Sequence, residues 1–143
     1  MKLTLNNIGP IHQFEFDLDK DIHLIYGKNN VGKSYAVNFL YCFLKALDDI
    51  DIYQFRYKYR NLSLAKSHED YIADIYTQIW KRLIEPKFEE YLKSTFSSIL
   101  NLQNKRNRFE SIIVFEDDKV ILEVVLKDSQ FTIDRISVKS SMN

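Results

Sequence analysis

Between residues 26 and 35 the chain reads YGKNNVGKSY. Two of its three glycines, Gly27 and Gly32, bracket four residues, and Lys33 and Ser34 follow directly. Glycines let a backbone curl until successive N–H groups point inward, making a concave anion site. A lysine behind them adds a compact positive charge, and a serine hydroxyl offers a hard oxygen ligand to Mg²⁺. The full spacing Gly27-x-x-x-x-Gly32-Lys33-Ser34 is that of a phosphate-cradling P-loop, with Lys33 on the β- and γ-phosphates and Ser34 on the metal. The loop does not choose between adenine and guanine. A guanine-reading Asn-Lys-x-Asp pattern is absent from the chain.

Such a loop works only between a strand that delivers it and a helix whose N-terminal amides complete it. The short apolar run DIHLIYG precedes it, as a buried strand would. Behind it Ala36, Val37, Leu40, Phe43, Leu44 and Leu47 recur at three- and four-residue spacing, which predicts an amphipathic helix from Lys33. Upstream, residues 2–8 and 11–19 read as a β-hairpin turning at Gly9-Pro10. Downstream, residues 48–66 are irregular. Ser67 and Asp70 then form a capping-box-like start to a helix carrying Ile72, Ile75, Tyr76, Ile79 and Leu83. Pro86 ends that helix or starts the next, which carries Phe88, Tyr91, Leu92, Phe96 and Ile99. From residue 110 the period falls to two, and three β-rich runs separated by Asp117-Asp118 and Asp128-Ser129-Gln130 predict an antiparallel meander to about residue 139.

The expected class is therefore α/β in one domain's worth of chain, 143 residues. It divides into hairpin, loop and helix over 1–47, a helical insertion over 48–109 and the meander over 110–139. Twenty basic and twenty acidic side chains balance, so no global field recruits nucleic acid or membrane. Cys42 is the single cysteine, which rules out an internal disulfide and fits a reducing cytoplasm. The N-terminus alternates apolar and polar residues where a signal peptide would be continuously apolar.

The stretch LNNIGPIHQFEFDLDKDIHLIYGKNNVGKSYAVNFLYCFL resembles the N-terminal lobe of ABC-type ATPases of the SMC, recombination-repair and overcoming-lysogenization-defect kind. The NIGPI turn and the asparagines of KNN carry the resemblance beyond the bare loop. It looks most like stand-alone bacterial ATPases, many of which serve in phage defence beside a nuclease or toxin. The resemblance covers residues 2–47 well and 110–139 loosely. It implies that Gly27, Lys28, Asn29, Asn30, Val31, Gly32, Lys33, Ser34 and Tyr35 line the site for ATP and Mg²⁺, with Asn29 and Asn30 near the γ-phosphate. Tyr35 stands where the family has serine or threonine on the α-phosphate, so that contact passes to its backbone.

The same family hydrolyses ATP with an acidic strand, a Leu-Ser-x-Gly-like signature and a switch histidine, and it sandwiches the nucleotide between two heads. This chain has no signature. SIIVFEDD offers Asp117 for Mg²⁺ and Glu116 for the attacking water, but alternation resumes at Val120, which favours a hairpin turn. Gln130 lies in a turn and is a poor substitute for the family's Gln-loop residue. The chain thus resembles one lobe of a two-lobe engine: a fragment, a deliberately shortened chain or a natural split subunit. Hydrolysis would require a second lobe or copy. The alternatives are a non-catalytic regulator that pairs with a full-length ATPase or its nuclease partner, and an independent small P-loop NTPase or kinase using Glu116. Arg56, Lys58 and Arg60 with Tyr57 and Tyr59, and Lys105, Arg106 and Arg108, could contact nucleic acid by charge and stacking. At zero net charge a solvated connector is the preferred reading. His12, His23 and His68 are scattered and read as structural rather than metal-binding.

Overall fold

The computed structural model describes residues 1–19, 32–50, 67–98, 102 and 110–139. Strands β1 (Lys2–Ile8) and β2 (Ile11–Asp17) form the expected hairpin. Gly9 takes φ +53° in its two-residue loop, a conformation without penalty where there is no Cβ. Strands β3 (Ser111–Glu116), β4 (Val120–Lys127) and β5 (Gln130–Val138) form the expected meander. Hairpin and meander are one sheet, ordered β2-β1-β3-β4-β5 and antiparallel throughout. The joint is β1 on β3, with Leu5 opposite Ile113 and Lys2 opposite Glu116. Period-two alternation buries Leu3, Leu5, Ile113, Phe115, Leu122, Val124 and Leu126 on a single face. Opposite Glu123 and Val124 the register with β5 shifts at Asp134. That bulge lets Ile133 and Ile136, three apart, both pack against the core.

Helix α1 (Lys33–Asp48) begins at the predicted residue, but its buried face differs from the expected one. Ala36, Phe39, Leu40, Cys42, Phe43 and Ala46 are buried, whereas Val37 (47% exposed), Tyr41 (59%) and Leu44 (42%) face outward. The stripe centres on the two phenylalanines, which carry the most apolar area into the core. Helix α2 (His68–Ile79) starts where Ser67 Oγ accepts the Asp70 amide at 3.2 Å.

Of the two readings of Pro86 the second holds: it lies in the first turn of the next helix, with no break before it. A π-turn over Trp80–Ile84 leads directly into α3 (Glu85–Phe96), and the Glu85 amide reaches the Trp80 carbonyl five residues back. Proline has no N–H to give, and its ring would strike the carbonyl four residues behind it; the widened turn removes that conflict. Phe88 then lies at the centre of the core. Its ring meets Phe39 at 5.1 Å, Phe43 at 5.6 Å and Trp80 at 6.3 Å edge-on, and stacks on Phe131 at 5.7 Å. One ring therefore joins α1, the π-turn and β5.

Candidate phosphate-binding site

Gly32 is the N-cap of α1, with φ +81°, and its carbonyl accepts the first helical bond from the Ala36 amide at 2.9 Å. Only glycine takes that left-handed conformation without strain. Space for a side chain is tight there as well. A Cβ at Gly32 would stand 3.0 Å from Ile11 Cγ1 and 3.3 Å from the Ile11 nitrogen. The second glycine of the pattern thus has a double physical reason, the turn and the close approach of the β2 start. The amides of Ser34 and Tyr35 fall one turn short of any carbonyl within α1. The first turn contains no acidic residue, and no side chain caps it. Its dipole and donors are arranged for an anion.

Of the residues expected to line the site, Gly32, Lys33, Ser34 and Tyr35 form this helix start. Gly27, Lys28, Asn29, Asn30 and Val31 lie outside the described residues, as does the expected strand at 21–26. Lys33 is half-buried and Ser34 is exposed. The ring of Tyr35 stacks on Phe96 at 5.1 Å, near the end of α3. That contact turns the Tyr35 ring toward α3. Neither the Ile11 contact nor the Phe96 contact was expected. Both are long-range, and no local spacing announces them.

The acidic candidates lie elsewhere. Glu116 pairs across the sheet with Lys2, whereas Gly32 touches Ile11 beside Ile8. β1 is seven residues long, so at about 3.3 Å per residue its two ends stand roughly 20 Å apart. Glu116 is also engaged where it sits, 2.7 Å from Lys139 Nζ, which holds its carboxyl below the usual range. Asp117 shapes the β3–β4 turn: its carboxylate accepts the Lys119 and Val120 amides at 2.8 and 2.9 Å and the Tyr76 hydroxyl at 2.6 Å. The metal role considered for Asp117 and the water-activating role considered for Glu116 are therefore not supported by the geometry. The turn needs one, and the sheet places both far from the helix start.

Gln130 is the exposed first residue of β5, opposite Lys127. His12 is exposed on β2, and His68 is exposed at the first position of α2; His23 lies outside the described residues. So do Arg56, Tyr57, Lys58, Tyr59, Arg60, Lys105, Arg106 and Arg108. Among the described residues no helix is long and apolar enough to cross a membrane.

Residues 1–76, more than half of the chain, match a family model described as an AAA domain. No curated protein and no solved structure matches the chain. The matched span contains the hairpin, the glycine loop and all of α1, the elements that meet at Gly32. The chain therefore belongs to the AAA-domain family of P-loop ATPases.

Proposed function

We propose that the chain is the ATP-binding lobe of an ABC/SMC-like ATPase, an ATP-gated switch of a bacterial anti-phage defence or DNA-transaction complex. The observation that carries this reading is the start of α1. A left-handed, tightly enclosed Gly32 opens the helix at Lys33, at the position the Gly27–Ser34 spacing demands. In this reading amides from Gly27 to Tyr35 bind the phosphates, the Lys33 ammonium neutralises the β- and γ-oxygens, and the Ser34 hydroxyl ligates Mg²⁺. The residues suit the cation: Ser34 is exposed at the helix start, and no carboxylate of the first turn competes with phosphate. When bound, Mg²⁺ draws charge from the β- and γ-phosphate oxygens. A second lobe or copy supplies the signature motif and the water-activating carboxylate, and that closure is the switch.

The independent-NTPase reading relied on Glu116, which the sheet holds roughly 20 Å from the hairpin tip. Phosphate release from the isolated chain separates the two. Turnover is expected to be slow and unchanged in Glu116→Gln. Robust turnover that disappears in that variant overturns the split-lobe proposal.

A further inference from the structure

The hairpin tip is tied down more firmly than a surface turn needs to be. The Gly9 amide donates to the Leu102 carbonyl at 2.5 Å. Asn7, itself at φ +56°, donates its side-chain amide to the Glu110 carbonyl at 3.4 Å and accepts the Ser111 hydroxyl on its own carbonyl at 2.6 Å. Ile8 and Ile11, paired across the turn, are 0% and 1% exposed. The Ile11 side chain, backbone nitrogen and Cα all face the position where Gly32 lacks a Cβ, at 3.0, 3.3 and 3.4 Å. The hairpin tip thus fills the space beside Gly32, the residue from which α1 begins.

From this contact we infer that Ile11 is a positioning residue of the nucleotide site, a buttress through which the first hairpin sets the height and direction of the α1 amides. The inference rests on the phosphate-binding reading of Gly27–Ser34 and adds to it a reason for the hairpin. Packed interiors transmit displacement because they have no slack. Shortening Ile11 opens space directly beneath Gly32, the helix start relaxes into it, and the amides of Ser34 and Tyr35 no longer converge on the same oxygens. Misplacement of positioning groups by about 1 Å is enough to weaken a site severely.

The test compares two buried isoleucines. Ile11 lies under Gly32, and Ile113 is equally buried in mid-sheet, opposite Leu5 and Val124. Calorimetric titration with ATP·Mg²⁺ is run on the full chain for Ile11→Ala and Ile113→Ala, with Ile11→Val and Ile113→Val as the milder pair should either alanine variant unfold. Ile11→Ala is expected to weaken binding roughly tenfold or more, Ile11→Val by less, and the Ile113 variants not at all at equal loss of urea midpoint. Gly32→Ala should couple to Ile11→Ala in a double-mutant cycle, because the smaller side chain gives the new Cβ room. If the Ile11 and Ile113 series weaken binding alike, or the cycle closes with no coupling, the buttress is wrong and the loop reading stands. If the unsubstituted chain shows no saturable binding, the loop reading fails and the buttress fails with it.

Discussion

The carboxylate of Asp117 serves three donors at once: two amides of its own turn and the hydroxyl of Tyr76 from α2. Read in sequence, VFEDD admits either an acidic catalytic strand or a hairpin corner; the bonds decide for the corner. The Tyr76 contact ties the helical layer to the sheet, and it titrates. Partial burial comes first and the Asp117 hydrogen bond second in pushing the Tyr76 phenol well above its ordinary value. A folded-state pKa raised above the unfolded one contributes stability that is complete below the unfolded value, about 10 for tyrosine, and fades as pH rises beyond it. Tyr76→Phe should therefore cost about 1–2 kcal/mol at pH 7.5, the worth of a hydrogen bond to a charged acceptor reduced by solvent screening of a partly exposed pair. Its urea midpoint should also fall less steeply than that of the parent above pH 10. Parallel alkaline slopes for the two proteins would show that the phenol is not what titrates.

At the scale of elements, helix starts and the period-two strands were legible because their causes are local. Ser67 announces α2, and Gly32-Lys33 announces α1, each by the chemistry of a helix N-terminus. Ser67→Ala is expected to lower stability by about 1 kcal/mol in urea denaturation. The buried face of α1 was only partly legible. Val37 and Leu44 fit a helical period as well as Phe39 and Ala46 do, and only the packing of Phe39 and Phe43 on Phe88 selects the stripe. Pro86 stands in the first turn of α3, one of the two readings its position allowed, but the direct continuation from α2 was not legible, since a π-turn has no sequence period of its own. Phe88 should be the costliest single truncation in the helical layer. Phe88→Ala removes four ring contacts from a residue with no exposure and is expected to destabilise by about 3–5 kcal/mol. Tyr91→Phe, which loses only an exposed bond from α3 to Asp49 at the end of α1, should cost far less in the same experiment.

The molecule as a whole has two unlike ends. At one, the Asn7–Ile11 turn, Leu102, Glu110 and the start of α1 converge. At the other, Lys2, Glu116, Asp117 and Lys139 close the sheet with ion pairs and a turn. The joining of hairpin and meander into one sheet separates these ends and carries Glu116 and Asp117 away from the start of α1. No reading of the strands one by one contained that pairing, because it links β1 to β3 across more than a hundred residues of chain. The account accordingly depends on nucleotide binding at the hairpin-tip end without catalytic acids of the sheet's far end. The most direct measurement is calorimetric titration of the chain with ATP·Mg²⁺, beside Lys33→Ala at equal folded fraction by circular dichroism. Saturable binding by the parent chain and its loss in Lys33→Ala is the predicted result; equal affinity in the two proteins, or binding by neither, contradicts it.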